Sequence, residues 1–427
     1  MRDTTELGGV TWAKAERLFR AADAHKPEGQ RFENWKPSQT AAHNQWDGLT
    51  PGKSGKNLPV LRVQLLLFPT GEGKSKTSLA QMTSRGYDEI YVVAPPKTHP
   101  AWQRDANVLG VNIELMSHKA FRERKKFSRK PFIIDEVHML GSRTGDGWKR
   151  LHRMADSMPA LIMCSATPNY NKHERAYCID IIGETDPVRN YEQWMHLHCT
   201  TVPNRFSYYP TVTGFKEFES AIDFLVARPW VSYVEDTATW TADTLRIPLP
   251  DLSNFERLNF SKRHHRLTAS DMEKRHKRVE LRMIDDDGFI RGEVLQSIDG
   301  LMRQYPERSK WLIFCMHKTV AKAFDRAIKR AYAEGEWPAV WLIDGDTKTE
   351  DVDEILDGFI SFSGRGWLVG TTALATGVDG IDKVCTSMLI LDDIEGDDAK
   401  RRQLIGRILP RGTADKRERL VVTAQFE

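Results

Sequence analysis

Five consecutive residues, Gly71-Glu72-Gly73-Lys74-Ser75, and an acidic pair about sixty positions downstream, Asp135-Glu136, are the residues best suited to chemistry in this chain. The glycines leave backbone N–H groups free to close around an anion. The lysine reaches outer phosphate oxygens, and a serine hydroxyl at a helix start is a ligand for Mg²⁺. The surrounding text, LLLFPTGEGKSKTSLA, supplies the strand, loop and helix start that this chemistry needs. The strict GxxxxGK(S/T) pattern asks for glycine at position 68, where the chain has Phe68. The match is to the looser PTGxGK(S/T) form, which includes Thr70. A second Gly-Lys-Ser, at 52–54, has no apolar strand before it and reads as linker.

The acidic pair sits in PFIIDEVHML, at the C-terminal end of an apolar run. In an open α/β sheet that is the edge where ligands bind. Two adjacent carboxylates there suit one group that organises a metal and one that activates the attacking water. The pair alone is a weak signal, but at a strand end downstream of a phosphate loop it is a strong one.

These groups need a scaffold, and the hydrophobic pattern describes one. Apolar runs at Val60–Phe68, Ile90–Ala94, Val111–Met116, Phe132–Ile134 and Ala160–Cys164 are separated by helix-length polar stretches, which predicts parallel strands buried on both faces. A second such block opens at Trp311–Cys315 and continues through Ala339–Ile343, Trp367–Val369, Ser387–Leu391 and Leu420–Ala424. The expectation is an α/β chain with an N-terminal domain over 1–235, a charged helical connector over 236–291 and a C-terminal domain over 292–427. With 427 residues, 40% hydrophobic and 28% charged, the chain has the composition of a soluble globular protein of more than one domain. No run approaches the ~20 apolar residues of a membrane span, and no apolar signal core opens the sequence. The five cysteines are scattered without metal-ligand spacing, which predicts a reducing, cytoplasmic setting and no structural zinc. A net charge of +3 neither requires nor excludes a nucleic-acid partner, so local runs matter more: RERKKFSRK at 122–130, and KRHHR and KRHKR within 262–278.

With these residues in view, the chain resembles superfamily 2 DExH-box helicases and translocases, with similarity to Swi/Snf-type and restriction-type DNA translocases of phage or bacterial kind. DEVH looks like the DExH box, and the PTGxGK(S/T) loop is the form found in helicases. FENWKPSQTAA resembles the segment whose glutamine, here Gln39, reads adenine. VVAPPKTHPAW resembles motif Ia, with Pro95 and Trp102 in place. MCSATPNYN resembles motif III through Ser165-Ala166-Thr167, and KWLIFCMHKTVAKAF resembles motif IV. VGTTALATGVDGID resembles motif V, with Thr371, Thr372, Gly377 and Asp379. RRQLIGRILPRG resembles motif VI, with Gln403, Gly406 and Arg407. The resemblance spans roughly residues 30–415.

That resemblance implies two tandem RecA-like domains, each a mainly parallel sheet flanked by helices, with ATP and Mg²⁺ as cofactors. Thr70, Gly71, Gly73, Lys74 and Ser75 would hold the phosphates, Ser75 and Asp135 the metal, and Gln39 and Asp379 other parts of the nucleotide. Glu136 would be the general base, while Ser165, Thr167 and Gln403 would couple the two domains. Arg407 would neutralise charge on the transferring phosphoryl group. Motif VI commonly runs QxxGRxxR, whereas this chain has Pro410 followed by Arg411: either Arg411 contributes on an altered backbone or Arg407 acts alone. Asp351-Val352-Asp353 also stands where an arginine is common.

The implied partner is nucleic acid held mainly through phosphate, with contacts at Lys97, Ser117, His118, Lys119, Lys318, Thr319 and Thr371. The adjacent 122–130 run is expected to join them. Of the twelve tryptophans, Trp102 and Trp148 are the two candidates for base stacking. The Pro–Trp form of motif Ia favours DNA, and the compact chain suits a monomer in a bacterial or phage-infected cytoplasm. The alternatives are an RNA helicase, a duplex-DNA translocase without strand separation, and a scaffold with an inactive ATPase site.

Overall fold

The structure is a computed structural model that describes residues 10–26, 31–49, 60–69, 71–166, 173–183, 190–203, 210–235, 239–248, 283–285, 287–333, 338–371, 374, 380–391, 401, 404–409 and 417–426. It divides into two compact units, Met1–Asp236 and Thr237–Glu427. Thr70, Thr167, Asp379, Gln403 and Arg411 lie outside the described residues, as do Thr372, Gly377 and the 262–278 run.

The first unit is built on a six-stranded sheet. Its strands are β1 (Val63–Leu67), β2 (Glu89–Val93), β3 (Asn112–Met116), β4 (Phe132–Ile134), β5 (Leu161–Ser165) and, after a hairpin of β6 (Cys199–Val202) and β7 (Thr211–Phe215), β8 (Val231–Tyr233). Their order is β3-β2-β4-β5-β1-β8, and every pair in the sheet is parallel. The continuous apolar text has a simple cause: side chains alternate between faces, and both faces are covered. Leu65, Phe132 and Met163 face one buried layer, while Leu66, Ile133 and Cys164 face the other. The layers include helices α1 (Trp12–Ala22), α2 (Pro37–Trp46), α3 (Lys74–Ser84), α4 (His99–Leu109), α5 (His118–Glu123) and α6 (Asp146–Ala155). Because the strands are parallel, the loops leaving β1 to β5 emerge at one edge, and the candidate residues of this unit lie there.

The second unit repeats the plan with β9 (Thr241–Ile247), β10 (Lys310–Phe314), β11 (Ala339–Ile343), β12 (Gly366–Gly370), β13 (Ser387–Ile390) and β14 (Leu420–Phe426), in the order β11-β12-β10-β13-β14-β9. All of these pairs are also parallel. Helices Gly292–Gln304, Lys318–Ala333 and Thr349–Ser361 cover it. Residues 241–247, expected in a helical connector over 236–291, instead form the edge strand of this sheet, pairing with β14 along their whole length. Leu245 and Ile247 bury while the residues between and before them stay largely outside, so half of this strand reads as polar text. Among the described residues no helix is long and apolar enough to cross a membrane.

Candidate active site

The loop after β1 is shaped by backbone conformations that side chains rarely adopt. Gly71 and Gly73 have φ of +84° and +80°, the left-handed region where glycine carries no Cβ penalty. Gly73 opens α3, so the loop's N–H groups meet the positive end of a helix. A side chain is excluded at Gly73 for a second reason: its Cβ would stand 2.4 Å from Nε2 of Gln39. Gln39 is buried, and that Nε2 donates to Thr77 Oγ1 at 3.0 Å. Glu72 is gripped from α2, with Ser38 Oγ donating to it at 2.6 Å and Lys36 Nζ forming an ion pair. Lys74 Nζ donates to the carbonyls of Phe68 and Pro69, at 3.0 and 3.2 Å, so its ammonium lies over the mouth of the loop. Lys36, Ser38 and Thr77 lie within the two quoted segments, but the roles they take depend on partners distant in sequence, which the motifs do not mark.

The acidic pair closes the other side of this edge. Asp135 is buried, and burial together with the Glu136 charge raises its pKa, partly opposed by Lys74. Lys74 and Asp135 therefore share one electrostatic site. Trp102 Nε1 donates to Asp135 Oδ2 at 3.3 Å, and three residues on along α4, Asp105 Oδ2 accepts from Ser75 Oγ at 3.2 Å. One helix face thus positions both predicted metal-binding groups. Trp102 and Trp148 are both buried, and Trp148 donates to Gly141 O at 3.1 Å, so neither is a stacking platform; that expectation is corrected. Glu136 has φ of +46°, the one positive φ outside glycine among the described residues. His138 Nδ1 lies 3.4 Å from Glu136 Oε2 and 3.2 Å from Ser165 Oγ, which joins the acidic pair to the start of the Ser-Ala-Thr segment.

The expected nucleic-acid contacts of this unit fare unevenly. Lys97 is half-buried in the turn Pro96–Thr98, and Lys119 is exposed. Ser117 caps α5, accepting from Ala120 N at 3.1 Å. His118 is buried, with Nε2 at 2.9 Å from Asp135 O, and burial lowers its pKa to about 4. It is a neutral internal support and offers no surface to a polymer, which corrects that assignment. The 122–130 run leads to the opposite edge of the sheet, where β4 begins, so it does not continue the Lys97–Lys119 surface.

In the second unit, Thr371 follows β12, buried and tied by its N–H to Ile343 O at 3.2 Å. Lys318 and Thr319 open the helix after β10. Lys318 and Lys322 both pair with Asp346, whose pKa they lower to about 2. Arg407 is buried in a turn whose neighbours Leu404, Ile405, Ile408 and Leu409 belong to the core.

No protein-family model matches the chain, and no curated protein matches it. Solved structures do. S. cerevisiae Dbp5 bound to RNA and ADP BeF3 is 14% identical and matches with a TM-score of 0.51, covering 100% of this chain and 90% of that one. A point-substituted form of Dbp5 with the same ligands gives the same figures. At that identity the likeness defines the fold: the chain is two tandem RecA-like domains, each a mainly parallel sheet flanked by helices.

Proposed function

We propose that the chain is a nucleic-acid-stimulated ATPase of superfamily 2, a motor that hydrolyses ATP to move on or remodel DNA. The convergence of Lys74, Ser75, Asp135 and Glu136 at one sheet edge carries this reading. Phosphates fit the loop because Gly71 and Gly73 hold its backbone open and Lys74 is poised over it. Ser75 and Asp135 suit Mg²⁺, since a divalent cation favours the ionised form that burial of Asp135 now opposes. When bound, Mg²⁺ supplies charge neutralisation on the phosphate oxygens. Glu136 takes the proton of the attacking water, and Lys74 neutralises the outer phosphates as the bond to the leaving oxygen lengthens. Arg407 adds a guanidinium to the same developing charge.

Lys97, Ser117, Lys119, Lys318 and Thr319 are the proposed phosphate contacts of the polymer; Thr371, buried after β12, offers it no side-chain surface, which corrects that expectation. RNA is the second reading, supported by the RNA-bound state of the similar Dbp5 structures. Steady-state ATP hydrolysis, wild type beside Glu136→Gln, with no polymer, single-stranded DNA, duplex DNA, a fork and RNA, tests all of this. DNA stimulation lost in the variant supports the motor as stated. Stimulation by RNA alone moves it to the second reading, and equal turnover in the variant refutes the catalytic assignment.

A further inference from the structure

The proposed motor leaves the opposite edge of the first sheet without a role, and a second concavity lies there. Where the central strands begin, with Phe132 opening β4 and Met158 just ahead of β5, the segment 125–130 and helix α6 enclose a cavity of about 540 Å³. Its floor is apolar, made by Phe127, Phe132, Met154 and Met158. Its rim is cationic, and no carboxylate lines it. Two rim cations are committed internally: Arg150 donates to Phe121 O at 3.0 Å, and Lys130 pairs with Glu89 at 2.9 Å. Arg129 and Arg153 are exposed and have no carboxylate partner among the described residues; Arg153 reaches only the Lys149 carbonyl of its own helix. Arg129 and Arg153, on one rim that no carboxylate lines, repel one another, and an anionic occupant relieves that repulsion.

The floor indicates which anion fits. A groove for single-stranded nucleic acid relies on open aromatic faces for the bases. Phe127 is instead enclosed by other rings, with Tyr91, Phe121 and Phe132 at centroid distances of 5.3, 5.6 and 5.3 Å, and the Arg124 guanidinium lies 4.9 Å from its centre. What remains for a ligand is a floor rich in methionine, whose flexible thioethers adapt to aliphatic and aromatic side chains of varied shape. We propose that this cavity docks an acidic peptide segment of a protein partner, with carboxylates on the arginine rim and an apolar side chain on the methionine floor. The site lies at the edge away from the phosphate loop, so a partner held there leaves the loop open.

Fluorescence anisotropy on the full chain tests this, using a labelled peptide of glutamates flanking a central Leu-Phe, its glutamine counterpart, and a labelled oligothymidine. The glutamate peptide is expected to bind about tenfold or more tightly than the glutamine one. Arg129→Glu/Arg153→Glu should weaken it by a similar factor. Both positions are exposed, so the double variant should melt with the wild type; Arg129→Gln carries the same test if it does not. Equal binding of the two peptides, or glutamate-peptide binding that survives charge reversal, overturns the proposal. Loss of oligothymidine binding with peptide binding unchanged also overturns it, and assigns the rim to nucleic acid.

Discussion

The C-terminal edges of the two sheets follow different construction rules. In the first unit the edge is made largely of backbone and buried carboxylate: left-handed glycines at 71 and 73, a left-handed glutamate at 136, and Asp135 held by an indole. In the second unit the edge carries long cations and hydroxyls, with Lys318 and Lys322 sharing Asp346 and Thr371 fixed through its backbone. Backbone donors are positioned once by folding and need little further ordering when a ligand arrives. Lysine and arginine heads on flexible stems give up rotamer freedom each time they engage. In the proposed motor the first edge is therefore suited to holding one substrate in one geometry, and the second to contacts made through side chains.

Substitutions at the two edges separate their contributions. The largest effect is expected from Glu136→Gln, which should lower ATP turnover by about a thousandfold with KM little changed. Steady-state kinetics check this, and retained turnover would move the reaction centre away from the first edge. Arg407→Ala should cost about a hundredfold in kcat, while Lys318→Ala should chiefly raise the polymer concentration needed for half-stimulation. If the two variants behave alike, the second edge has no specialised charge. Gly73→Ala meets both a left-handed backbone and the Gln39 carboxamide, so a loss of about 1–2 kcal/mol in denaturant unfolding is expected. Gln39→Ala in the same chain should restore part of it, which a double-mutant cycle measures.

Asp135→Asn should abolish the proposed ATP turnover and yet raise the melting temperature at neutral pH by a few degrees. The native state holds Asp135 above the ordinary carboxylate range, so it binds a proton more readily than the unfolded chain does. Stability therefore falls as pH rises through the ordinary carboxylate pKa and on through the raised one. The gain from asparagine should shrink as pH is lowered, and an unchanged gain in calorimetry at acid pH would refute the account. The smallest effect is Trp102→Phe, expected to reduce turnover a few-fold. Removing a donor that favours ionised Asp135 should also move the acid limb of the pH–rate profile to higher pH.

Much of this was legible in the sequence because it is local. Strands buried on both faces leave continuous apolar text, and the glycine loop and acidic pair fall at their ends, so each of the ten expected runs overlaps a strand of the structure. What escaped depends on distance or on half-exposure. The strand Thr241–Ile247 buries little beyond Leu245 and Ile247, and Val231–Tyr233 is only three residues long. The role of Trp102 depends on a carboxylate thirty-three residues away, and that of His118 on a carbonyl seventeen away. Charge runs mislead for a related reason. Residues 122–130 follow the Ser-His-Lys segment directly, but once α5 ends at Glu123 the chain runs back to the start of β4, and most of the run ends at the opposite edge.

The contact between Gln39 and Gly73 has a consequence for how such a protein can change. In the proposed motor one residue addresses the base and the other the phosphates, and each occupies room the other leaves. A variant seeking a different base would have to enlarge or shrink position 39, and doing so loosens or crowds the loop that holds the phosphates. In that motor a change of nucleotide preference is expected to require paired substitutions at these two positions.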